Sequence, residues 1–99
     1  MERYIIDVED FKCIEAAAKE RNYVTRRISD RSVAIVGNKD RQIAIASREN
    51  GIAEIYIFDM FTMPPKVKCD LAEIVPSLRK YNDYMDRVDS CIYDHVIEA

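Results

Sequence analysis

Glycine is scarce in this 99-residue chain, with two in all. That excludes a Gly-rich phosphate-binding loop, which needs several positions where bare backbone closes on the ligand. Histidine occurs once, as His95, and there is no G-x-S-x-G, so the sequence offers no nucleophile elbow and a single imidazole. Cys13, Cys69 and Cys91 are odd in number and form no C-x-x-C pair, which favours reduced thiols over a disulfide framework. No apolar run approaches the roughly 18 residues needed to span a bilayer. The start, Met1-Glu2-Arg3-Tyr4, lacks the apolar run and cleavage site of a signal peptide, so the expectation is a cytoplasmic protein with no membrane partner.

What is present describes an ordinary globule. Apolar residues make up 48% and charged residues 33%, enough for one core, and residues 1–99 read as a single α+β domain. A net charge of −3 names no partner by itself.

The strongest pattern lies in the last third. Leu71, Ile74, Leu78, Tyr81, Met85, Val88, Ile92 and His95 recur at spacings of three and four. This predicts a long amphipathic helix from Leu71 to Val96, with Asp70 as N-cap, Glu73 as its box partner and a kink or break near Pro76. Upstream, Arg3 to Ile6 reads as a short strand. A helix of about 13 residues follows from Val8, with Asp7 and Asp10 imitating a capping box and Asn22 at its exit.

Tyr23 to Ile28 is β-prone but charged, which suits an edge strand. Ser32–Val36, Gln42–Ser47 and Ala53–Phe58 then read as an antiparallel meander, joined by turns at Gly37-Asn38-Lys39-Asp40 and Glu49-Asn50-Gly51. Keeping Val33, Ile35, Ile43, Ile45, Ile55 and Ile57 on one face requires Ile35 opposite Ile43 and Ile45 opposite Ile55. The second face then carries Ala34, Val36, Ala44, Ala46, Tyr56 and Phe58, broken by Glu54, and is too apolar to be left wholly to water. Pro64-Pro65 reads as a stiff link into the last helix.

These readings leave no catalytic residue, no cofactor and no metal site to assign. Cys91 and His95 share a helical face, but a satisfied histidine at the end of a buried stripe is the simpler account. A helix of about 20 residues spans about 30 Å, longer than a six-residue strand, so part of its stripe needs another home. Tyr81, Tyr84, Met85, Val88, Ile92 and His95 are therefore the expected partner-binding or homodimer surface. Asp83, Asp86, Asp89 and Asp94 form an acidic face beside them, fitted to occlude a basic groove. The function expected is that of a non-enzymatic protein-binding module, an inhibitor or regulator of a larger protein. The alternative is nucleic-acid binding through the basic region 19–49, with Arg26, Arg27, Arg31, Lys39, Arg41 and Arg48 as phosphate contacts. A second alternative is a small enzyme whose site leaves no sequence pattern.

Overall fold

The computed structural model describes residues 2–37, 40–60 and 62–86. It is mixed α+β: β1 (Glu2–Ile6), α1 (Val8–Glu20), β2 (Val24–Ser29), β3 (Ser32–Val36), β4 (Gln42–Glu49), β5 (Ile52–Ile57) and α2 (Pro65–Ile74), followed by a 3₁₀ helix Pro76–Lys80. Residues 82–86 are again helical. The five strands form one antiparallel sheet in the order β1-β5-β4-β3-β2. The meander is as expected from the sequence, and β1 extends it beside β5.

Local chemistry explains the first half. α1 begins at Val8 and covers 13 residues. It ends in a Schellman motif: Asn22 takes φ 66°, its N–H donates to the Lys19 carbonyl at 3.0 Å, and the Tyr23 N–H donates to Ala18 at 3.0 Å. The capping box does not form, because Asp7 makes no side-chain cap. Its carboxylate instead takes Lys80 Nζ at 2.9 Å, while Asp10 accepts the Ser77 N–H at 2.8 Å. Between β4 and β5, Asn50 (φ 53°) and Gly51 (φ 78°) make a two-residue turn that needs left-handed backbone at both positions.

The register differs from expectation. Ile35 opposes Ala44, and Ile45 opposes Tyr56. A shift between Ile35 and Val36, which pairs with Gln42, leaves Ile43 as an extra residue on β4. One inserted residue turns the rest of a strand over. Ala44 and Ala46 therefore face the core with Val33, Ile35, Ile55 and Ile57, and Ile45 faces away.

The continuous C-terminal helix is also corrected. α2 starts six residues earlier than Leu71, with Pro64 at the N-cap and Pro65 at the first helical position, where a missing N–H costs nothing. Asp70 lies inside α2. The helix stops at Ile74 because Pro76 forces the residue before it out of helical geometry, and Val75 sits at φ −125°, ψ 83°. A second break follows at Tyr81, which is extended. The part of the predicted helix beyond residue 86 lies outside the described residues.

α1, α2 and the 3₁₀ segment all pack on one face of the sheet. Ile14 and Ala18 of α1, Leu71, Ala72 and Ile74 of α2, and Val75, Leu78 and Tyr84 close over Tyr4, Ile6, Val33, Ile35, Ile55 and Ile57. Each fully buried aliphatic side chain stabilises this layer by about 1.5–3 kcal/mol. Among the described residues no helix is long and apolar enough to cross a membrane.

Candidate protein-binding surface

The opposite face of the sheet carries no helix among the described residues. Directly opposed residues of neighbouring strands share a face, so the pairs Arg26↔Ala34, Ala34↔Ile45, Ile45↔Tyr56 and Tyr56↔Arg3 define one row across all five strands. Ile5, Glu54 and Ser47 form a second row, and Val24 stands opposite Val36 in a third. Ile5 is 55% exposed, Val24 58%, Ile28 55% and Ile52 53%. Ile5 and Ile52 stand at the β1–β5 side of the sheet and Val24 at the β2 border, with the half-buried Ile45 and Tyr56 between them.

One polar network crosses this face. Arg3 is ion-paired with Glu54, and the Tyr56 hydroxyl donates to Glu54 Oε2 at 3.1 Å. The hydrogen bond from Arg3 holds the Glu54 carboxyl below its ordinary value, against the partial desolvation that pushes it up.

The two edges of the sheet are treated differently. On β1 the Ile5 carbonyl accepts the Tyr81 hydroxyl at 2.5 Å, and the Asp7 N–H just beyond the strand donates to Ser77 Oγ at 3.1 Å. The segment 77–81 thus engages the C-terminal end of that border. On β2 five of six residues are exposed, and its one defined neighbour is β3. A register shift between Arg27 and Ser29 and the pair Arg26-Arg27 are devices that discourage indiscriminate strand pairing.

A cleft of about 1010 Å³ opens at the end of the sheet where the α1–β2 turn, the β3–β4 hairpin and the β5–α2 connection meet. Val36, Ile43 and Phe58 contribute apolar wall, and Arg21, Arg41 and Lys66 contribute cations. Three of the four non-glycine residues with positive φ, Asn22, Asp40 and Asp59, line it. Its cations are already engaged: Arg41 with Asp59 at 2.5 Å and Lys66 with Asp70 at 3.0 Å. The described lining residues include no histidine, cysteine or serine.

The residues singled out from the sequence are dispersed. Tyr84 is wholly buried, its ring edge-on to Tyr4 at 5.6 Å, and its hydroxyl donates to the Lys68 carbonyl at 2.7 Å. Burial raises the Tyr84 hydroxyl well above its ordinary value. Tyr81 stacks at 5.0 Å from Tyr4 and is half-buried, and Met85 packs against the same core. These three serve the molecule's own interior. Asp83 and Asp86 are exposed, whereas Val88, Asp89, Ile92, Asp94 and His95 lie outside the described residues.

The basic residues do not converge either. Arg26 stands on the uncovered face, 3.5 Å from Asp40, whereas Arg27 turns to the helix side and bonds Glu15 at 2.9 Å. Arg41 is tied to Asp59 in the cleft. Arg31 lies in the β2–β3 turn, and Arg48 on β4 opposes Ala53 of the helix-covered side. Lys39 lies outside the described residues. The residues the sequence reading missed are Ile5, Val24, Ile28, Ile45 and Ile52. Alternation along β1, with Tyr4 and Ile6 inside and Ile5 outside, was the available signal.

Comparison of the chain with protein-family models, with curated proteins and with solved structures yields no match in any of the three.

Proposed function

We propose that this chain is a non-enzymatic protein-binding module that docks a partner protein on the uncovered face of its sheet and acts by occluding that partner's surface. One observation carries the reading: Ile5, Ile52 and Val24 are more than half exposed on a face that also holds Ile45 and Tyr56, while every described helix packs on the other side. An apolar centre with an aromatic and a single internally paired Arg–Glu network is the composition of an interface core. The contact moves from the C-terminal stripe to the sheet because Tyr84 and Tyr81 are engaged within the molecule. Dispersal of the arginines, most of them beside acids, disfavours nucleic acid, whose binding requires cations that converge.

The test is a comparison of the wild-type chain with the double variant Ile5→Lys, Ile52→Lys, which alters exposed positions and leaves the helix-covered core intact. A partner captured by the wild type, then purified, is expected to bind the variant at least about tenfold more weakly, since lysines in an apolar contact cost well over 1.4 kcal/mol. Amide exchange in the complex should slow along β1 and β5. Equal binding by both proteins, or nucleic-acid binding that falls steeply with salt, overturns the reading.

A further inference from the structure

We infer that the open edge at β2 is a strand-addition site for an extended segment of a partner protein in which an acidic residue is flanked, two positions away, by an apolar residue. This rests on the protein-binding reading and specifies the partner's chemistry.

Among the described residues β2 is the border strand whose backbone has no neighbour on its outer side, whereas on β1 the Ile5 carbonyl is bonded to Tyr81 and the Asp7 N–H beyond the strand to Ser77. An exposed border of this kind pairs readily with another extended chain, whose main chain supplies the hydrogen bonds and whose alternate side chains supply the specificity. Val24 and Arg26 share one face of β2, opposite Val36 and Ala34, and Val24 is 58% exposed; Ile28 falls at the register shift between Arg27 and Ser29. Arg26 is available. Its one partner, Asp40, lies 3.5 Å away, and both side chains are more than half exposed, a pairing weak enough to exchange for a better one.

Charge disfavours a second copy in the registers centred on residues 26 and 27. In an isologous antiparallel pair each residue opposes its symmetry counterpart about a central position. The register that sets Val24 against Ile28 of the second copy is centred on residue 26, so two Arg26 guanidinium groups meet directly, about 5 Å apart at Cβ, which is destabilising. Centring on residue 27 sets two Arg27 groups together instead. A carboxylate opposite Arg26 on the incoming strand reverses that sign and leaves the apolar contact at Val24 in place. On that face Arg26 and Val24 stand opposite the buried Ala34 and Val36 of β3.

The probe is a blocked heptapeptide, Thr-Val-Thr-Glu-Thr-Val-Thr, with a counterpart carrying lysine for glutamate. Each is added at millimolar concentration to the full chain at low salt, and amide hydrogen exchange is followed residue by residue. The glutamate peptide is expected to slow exchange in Val24–Ser29. The lysine peptide should bind about tenfold more weakly, and Arg26→Glu should reverse that preference. No protection of β2 by either peptide, equal protection by both, or a preference unchanged in Arg26→Glu overturns the inference. Protection of β2 that instead follows protein concentration, with a dimer in sedimentation, assigns the edge to a second copy and overturns it as well. The Ile5→Lys, Ile52→Lys pair lies at the far side of the sheet, so failure at the edge is distinguishable from failure of the protein-binding reading itself.

Discussion

Tyr81 and Ile5 are joined across the rim of the sheet, the Tyr81 hydroxyl donating to the Ile5 carbonyl oxygen at 2.5 Å. The ring of Tyr81 reaches that position by packing on Tyr4, one residue earlier in β1. Tyr81→Phe keeps the packing and frees the carbonyl. Urea unfolding should show a loss of about 1 kcal/mol, and the variant should aggregate faster than the wild type in light scattering, because a second border of the sheet has become open.

Ser77 links three elements. Its Oγ accepts the Asp7 N–H at 3.1 Å and its own N–H donates to Asp10 at 2.8 Å, at a position that is almost wholly buried. Ser77→Ala leaves the Asp7 N–H without an acceptor and is expected to cost about 1–2 kcal/mol in chemical denaturation. Asp10→Asn, which retains an oxygen toward the Ser77 N–H, should cost less.

Tyr84 makes stability depend on alkaline pH. Burial raises its hydroxyl above the ordinary value of 10.0, and the unfolded chain therefore ionises first. Its contribution is complete below about pH 10 and is lost as pH rises toward the folded value. Tyr23 behaves in the same direction, through burial and its hydrogen bond to Asp70. Tyr84→Phe should be about 1 kcal/mol less stable at neutral pH, since the hydrogen bond from the hydroxyl to the Lys68 carbonyl is lost. Thermal melts between pH 9 and 11 should show the variant losing stability less steeply than the wild type.

Glu54 acts at the other end of the scale. The Arg3 hydrogen bond lowers its carboxyl below 4.5, so the pair's contribution is present above that pH and disappears as pH falls through the depressed folded value. In Glu54→Gln this part of the acid loss should vanish, leaving a flatter profile between pH 5 and pH 3 in circular dichroism. The pair is exposed to solvent on the Arg3 side, so high salt should shrink the difference.

The two faces of the sheet separate in a pair of truncations. Ile57→Ala empties a fully buried site and should cost about 2–5 kcal/mol. Ile45→Ala, on the uncovered face, should cost under about 1 kcal/mol. Had β4 followed strict alternation from Ile35 opposite Ile43, both would be core residues and both would be costly.

Legibility followed the physics of each segment. α1 was readable because its apolar spacing and Asn22 exit are local signals, and the β4–β5 hairpin because Asn50-Gly51 is a backbone requirement. The faces of β4 were not, because the extra residue at Ile43 belongs to the pairing with β3 and has no composition signature. Alternation in Gln42 to Ser47 is equally satisfied by isoleucines in or alanines in. The C-terminal third misled for a related reason: the apolar spacing survives through Pro76 and Tyr81 because the 3₁₀ turn still returns Leu78 and Tyr84 to the same core. Periodicity recorded which residues are inside without recording that the axis changes direction. Of the surface, the sequence revealed an excess of apolar residues on the second face and placed Ala34, Val36 and Tyr56 there, but put Ala44 and Ala46 where the structure has Ile45.

A sheet with Tyr81 and Ser77 bonded at one border and no neighbour among the described residues at the other is lopsided in what it can accept. A foreign strand that lengthens it at β2 leaves the next molecule the more obstructed of the two borders, and that asymmetry works against head-to-tail growth.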